Sequence, residues 1–150
     1  MLENVGGYMK KFLIPVDGSE CALRAVSLAA QTRLDYADPD SAEIHLLNVQ
    51  PPISHSVKRF FNHDEIANFL REESEHALAP ARALLDAAGA RYTCHAEFGN
   101  VAETIIHFAE TLGCDQIIMG TNGRGALGRL IGSATMKVLH LSPVPILLVK

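Results

Sequence analysis

Gln116-Ile-Ile-Met-Gly-Thr-Asn-Gly-Arg-Gly-Ala-Leu-Gly-Arg-Leu-Ile-Gly-Ser-Ala-Thr135 decides the fold class. The run that ends at Met119 is short and apolar, as a buried strand is. Gly120, Gly123, Gly125, Gly128 and Gly132 follow it. Ser133-Ala-Thr-Met-Lys-Val-Leu-His140 then reads as a helix. Strand, glycine-rich loop and helix in this order form an arrangement that cradles phosphate. Glycines let backbone N–H groups approach an anion, and the helix N-terminus adds positive partial charge. Arg124 and Arg129 lie in the same loop and suit pairing with phosphate. A glycine cluster serves equally well as a plain connector, so the local pattern leaves both readings open.

The remainder of the chain repeats the alternation of strand and helix. Phe12-Leu-Ile-Pro-Val16 is a first strand, broken by Asp17-Gly-Ser-Glu20. Ser19 is placed to cap a helix from Glu20 to about Leu34, with Ala22, Val26, Ala29 and Ala30 on its apolar face. Ala42 to Val49 reads as the second strand, and Gln50-Pro-Pro cannot continue it because proline lacks the ladder donor. Residues 50–62 then form a longer connector. A helix from about Asp64 to Ala88 is expected to kink or split at Pro80 and to end at Gly89. Arg91 to Phe98 is the third strand. Asn100-Val-Ala-Glu103 resembles a capping box and opens a helix closed by Gly113. The chain ends on a fifth strand, Val144-Pro-Ile-Leu-Leu-Val149. Alternation of this kind means parallel pairing through right-handed crossovers, with helices on both faces of the sheet.

Bulk properties narrow the function. The chain of 150 residues is one domain in length, with residues 1–9 a loose extension and 10–150 the folded unit. Hydrophobic content of 48% and charged content of 20% are those of a globular protein. No apolar run approaches the ~18 residues of a membrane helix, and residues 1–9 do not read as a secretion signal, so neither membrane insertion nor export is expected. A net charge of -4 without a basic stripe argues against nucleic acid. Cys21, Cys94 and Cys114 are an odd set without metal-ligand spacing, which fits free thiols in a reducing cytoplasm. Seven histidines are scattered; His55 and His63 fall in or beside one connector, but no zinc motif forms.

In an open parallel sheet the ligand crevice lies at the carboxyl ends of the strands, where the winding reverses. If strand one neighbours strand four, Asp17-Gly-Ser and the glycine loop meet there, with Asn48-Val-Gln flanking them. Asp17 is then the leading functional carboxylate, although an aspartate here also serves as a plain turn residue. Val49 reads as core before ligand contact, Ser133 as a helix cap before phosphate donor, and Lys137 as a residue facing water. Gly123-Arg-Gly-Ala-Leu-Gly128 matches a dinucleotide fingerprint literally, yet no second βαβ half and no acidic residue about twenty positions on accompany it. A Walker loop and a nucleophile elbow are both missing from the sequence.

Together these residues resemble the universal stress protein (UspA-like) family from Lys10 to Lys150. The resemblance is carried by Ile14-Pro-Val-Asp-Gly-Ser19, Leu47-Asn-Val49, Met119-Gly-Thr-Asn-Gly123 with Gly132-Ser133, and the tail Lys137 to Val149. It implies an adenine-nucleotide alpha-hydrolase-like fold: a five-stranded parallel sheet, order 3-2-1-4-5, in a protein that dimerises. It also implies an adenine-nucleotide-binding regulatory protein of the stress response. Asp17 would contact the ribose, or a Mg ion carried by the nucleotide. Pro15 and Val16 would line the pocket, Val49 would meet the adenine, and Met119 and Gly120 would flank the sugar. Gly123, Arg124, Gly132, Ser133 and Ala134 would serve the phosphates of ATP, ADP or AMP. The family's ATP-binding pattern is Gly, two residues, Gly, nine residues, Gly-Ser/Thr. Here only eight residues separate Gly123 from Gly132. That shortening leaves two alternatives: a dimeric interaction protein with a degenerate pocket, and a slow ATPase. An uncharged last strand, Val144 to Val149, is the expected homodimer edge.

Overall fold

A computed structural model of the chain describes residues 10–123 and 130–150. The expectations for the extension 1–9 and for Arg124, Gly125, Gly128 and Arg129 lie outside the described residues. Five strands form the sheet: β1 (Lys11–Pro15), β2 (Glu43–Gln50), β3 (Tyr92–Phe98), β4 (Gln116–Gly120) and β5 (Ile146–Val149). All pairs are parallel and the order is β3-β2-β1-β4-β5, as the resemblance implied. The register sets Phe12 beside both Ile44 and Gln116, and Met119 beside Leu148.

Side chains alternate across a strand, so each apolar run is divided between two cores. Phe12, Ile14, Ile44, Leu46 and Ile118 face one side. There they meet α1 (Glu20–Thr32) and α3 (His63–Ala87) through Ala25, Val26, Ala29, Leu78, Ala81 and Leu85. Leu13, Leu47, Ile117 and Met119 face the other side. They pack on α4 (Val101–Leu112) and α5 (Ser133–Leu141) through Ile105, Ala109 and Val138. Each fully buried Leu or Ile contributes about 1.5–3 kcal/mol. The alanines of α1 let that helix lie close to the strands.

Several local expectations are corrected. α3 is one helix of 25 residues and is not split at Pro80. Pro80 and His76 both lie on its exposed face, where water can satisfy the carbonyl that the proline leaves without a donor, while Ala77, Leu78 and Ala81 hold the buried face. The connector 50–62 contains a helical turn, α2 (His55–Lys58). A complete capping box stands at Asn62 and Glu65, which the sequence reading missed. At Asn100 the cap is one-sided: its side chain accepts from the Glu103 N–H, while the Glu103 carboxylate pairs with Lys137 at 3.0 Å. Lys137 thus bridges α5 to α4 rather than merely facing water. Gly132, not Ser133, is the N-cap of α5. Its carbonyl already accepts from Met136 N–H and its N–H donates to Thr121 O at 2.8 Å, which moves the helix boundary back by one residue.

Candidate functional site

The winding reverses beside β1. The chain runs outward through β2 and β3, then returns to place β4 and β5 on the other flank. A cleft of about 570 Å³ opens at the carboxyl ends of these strands. β1 and its exit supply Pro15, Val16 and Asp17 to it, and β2 with its following residue supplies Leu47 through Pro51. Met119, Gly120, Asn122 and Gly123 come from β4 and its exit. Gly132 to Thr135 close it from the start of α5, and Val101 and Ile105 of α4 form part of the wall. Pro15, Val16, Asp17, Val49, Met119, Gly120, Gly123, Gly132, Ser133 and Ala134 all line this one cleft, while Arg124 and Arg129 lie outside the described residues.

Each of these groups is held by backbone geometry. Asp17 closes β1 in a turn: its Oδ1 accepts from Ser19 N–H at 2.9 Å, and Gly18 adopts φ +82, a conformation suited to glycine. Ser19 caps α1 through Ala22 N–H. Opposite, Gly123 lies so near Asp17 that a Cβ there would stand 2.6 Å from Oδ2. Gly120 runs against the first turn of α1, where a Cβ would stand 2.8 Å from Cys21 Cβ. Thr135 Oγ1 donates to Gly120 O at 3.2 Å and ties α5 to the end of β4.

The entrance to α5 has the electrostatics of an anion site. Its N-cap, Gly132, has no side chain to cap the helix. Its first-turn N–H groups have no intrahelical acceptor, and Ser133, Ala134 and Thr135 border the cleft. Apolar surface lines the cleft at half-buried Val49 of β2 and at Pro15 and Val16, at the end of β1. The cleft therefore offers an apolar wall at β2, a carboxylate at the centre and backbone donors at α5. That sequence of surfaces suits a flat apolar group, a diol and a phosphate.

Two features escaped the sequence reading. Asn48 is 1% exposed, and its amide connects three elements. Nδ2 donates to Val16 O at 2.7 Å, and Oδ1 accepts from Ser74 Oγ and from Gln50 Nε2, both at 2.9 Å. A polar residue between Leu47 and Val49 was the available signal. Cys21 lies behind Gly120, with its thiol 3.3 Å from Val149 O. Burial raises its pKa, but hydrogen bonds from the Asn122 backbone, from Thr121 and from Arg24 outweigh that and bring it below the ordinary thiol value. Among the described residues no group of three or more His, Cys, Asp or Glu side chains is arranged to hold a metal ion. No helix among them is long and apolar enough to cross a membrane.

The comparisons with known proteins converge. The Universal stress protein family model matches residues 9–150. A universal stress protein of Thermus aquaticus is 32% identical over 142 residues, covering 94% of this chain and 98% of that protein. Universal stress protein MJ0577 of Methanocaldococcus jannaschii is 31% identical over 155 residues, covering 94% of both. The solved structure of MJ0577 superposes with a TM-score of 0.79 at 33% identity, over 95% of this chain and 96% of that one. The universal stress protein from Archaeoglobus fulgidus in complex with dAMP shares the fold at 20% identity, with a TM-score of 0.66 over 95% of this chain and 98% of that one. The chain with the Asp17 turn, the glycine-bounded cleft and the 3-2-1-4-5 sheet belongs to the universal stress protein family.

Proposed function

We propose that the cleft binds an adenine nucleotide and that the protein is a nucleotide-binding regulator of the stress response. The observation that supports this best is the convergence of Asp17, Gly123 and the glycine-capped start of α5 on one crevice at the point where the strand order reverses. In this reading the phosphates sit at Gly123, Gly132, Ser133 and Ala134, where backbone N–H groups supply the donors. The ribose lies over Asp17, flanked by Met119 and Gly120. The base lies against Val49, Val16 and Pro15. Another protein of the same fold was solved with dAMP, a ligand of the same class. A single carboxylate fits a Mg ion that arrives with the phosphates, since Mg is commonly held by one or two carboxylates plus phosphate oxygens. Asp17 is the group that would take it, in place of its contact with the ribose. Regulation follows if the nucleotide prefers one conformation or assembly, because a ligand shifts an equilibrium only by its differential affinity.

Calorimetric titration of nucleotide-free protein with ATP, ADP and AMP, with and without Mg, tests the reading. Saturable binding that weakens about tenfold or more in Asp17→Ala is expected, the scale of one lost charge-assisted contact. An absence of heat and of thermal shift with all three nucleotides, on folded protein, overturns it.

A further inference from the structure

We infer that Gln50 is a specificity-determining residue, whose side-chain oxygen selects bases carrying an amino group at the six position. The inference rests on the nucleotide reading above and deepens it. It begins at a backbone carbonyl. Val16 O can only accept, so the atom of Asn48 that meets it at 2.7 Å is the amide nitrogen. Asn48 Oδ1 is then the atom facing Ser74 Oγ and the Gln50 amide. An oxygen acceptor demands a donor, so Gln50 presents Nε2 to it at 2.9 Å. The polarity of the chain is thus fixed from Val16 outward, and Asn48, at 1% exposure, has no room to choose otherwise.

The remaining polar atom of Gln50 is Oε1, which accepts no hydrogen bond from the protein among the described residues. Gln50 borders the cleft beside Val49 and Pro51. The direction of the nucleotide brings the base to this residue. The donors for phosphate are at α5 and the exit of β4, on one flank of β1, while β2 lies on the other flank. A nucleotide lying across β1 with its phosphates at α5 carries its base to the β2 wall. There a fixed acceptor meets the amino hydrogens of adenine favourably. It meets the six-oxo group of guanine or hypoxanthine as oxygen against oxygen, an unpaired contact that a polar site rejects.

The test is a two-by-two cycle of protein and ligand. Whichever of AMP, ADP and ATP binds wild-type protein most tightly is titrated against its purine riboside analogue, which carries the same phosphates and lacks only the six-amino group. Wild-type protein is expected to prefer the amino form about tenfold, the value of one hydrogen bond to a neutral acceptor. Gln50→Ala brings the preference close to one, mainly by weakening the amino form. Gln50→Met retains the length of the side chain without its oxygen and gives the same loss, so a volume effect is distinguished from an acceptor effect. A wild-type preference near one, or a preference that persists in both variants, overturns the inference and leaves nucleotide binding standing. Wild-type protein that binds none of the three nucleotides overturns both.

Discussion

Gly120 and Gly123 are both closed to a side chain, but by different neighbours, and the difference predicts different failures. At Gly120 the obstruction is Cys21 Cβ at 2.8 Å and its backbone carbon at 2.9 Å, neither of which can move without shifting α1. Gly120→Ala is expected to destabilise the fold by about 1–3 kcal/mol, the cost of overpacking. At Gly123 the obstruction is the Asp17 carboxylate, 2.6 Å away and at the end of a short side chain. Gly123→Ala displaces that carboxylate from the cleft. Stability then stays within about 0.5 kcal/mol of wild type, as for surface changes, while nucleotide affinity falls about tenfold. Urea unfolding and calorimetry on the two variants separate the effects; equal stability losses would contradict this assignment. These residues were legible from sequence because an aspartate or a cluster of glycines at the end of an apolar run is chemically out of place. Asn48 was harder to see, since its partners Ser74 and Val16 are 26 and 32 positions away and only the fold joins them.

β2, β3 and α4 meet at a pair of histidines that no spacing rule reveals. His45 Nδ1 lies 3.1 Å from His95 Nε2 with the rings stacked, and Phe108 of α4 packs edge-on against His95. Their meeting depends on the β2–β3 register, in which Leu47 pairs with His95. Burial, and then the neighbouring His45, hold His95 below the usual histidine pKa, with Glu97 opposing. Glu43 also lies near, 3.6 Å from His45 Nε2. Because the folded value is depressed, the unfolded chain binds the proton more readily. The contribution to stability is therefore complete above the ordinary histidine value of about 6.5 and is lost as pH falls through and below it. The melting temperature is expected to drop between pH 7.5 and pH 5.5 more steeply for wild type than for His95→Leu. Parallel profiles for the two proteins would refute it. At the same scale, the identity and order of the long elements were legible from period and punctuation, whereas their ends were not. The α5 boundary turned on the Gly132 N–H finding Thr121 O, and the continuity of α3 turned on the side of the helix that Pro80 faces. Both are tertiary facts.

At the scale of the whole molecule the sheet has two edges, and they are unequally protected. β3 carries His95 and Glu97 and follows Arg91, with Thr93 and Glu97 exposed; charge on an edge strand discourages pairing with another chain. β5 reads Ile-Leu-Leu-Val and carries no charge. Leu147 of β5 is more than a third exposed, as are Met136, Leu139 and Leu141 of α5. We propose that the uncharged β5 edge is where two copies pair, β5 against β5. The backbone says how to test it without breaking the monomer. Ile117 N–H donates to Pro145 O and Thr121 N–H to Val149 O, so residues 145 and 149 point toward β4. In a parallel ladder alternate residues point the other way, which turns the N–H groups of Ile146 and Leu148 to the free edge. Leu148→Pro removes one of those outward donors and leaves the bonds to β4 in place. A dilution series by sedimentation velocity is expected to show a wild-type dimer at micromolar concentration and a folded monomer for Leu148→Pro. Wild-type protein that sediments as a monomer across that range overturns the proposal. A variant that remains dimeric moves the interface away from β5, to a surface that the unequal charge of the two edges does not predict.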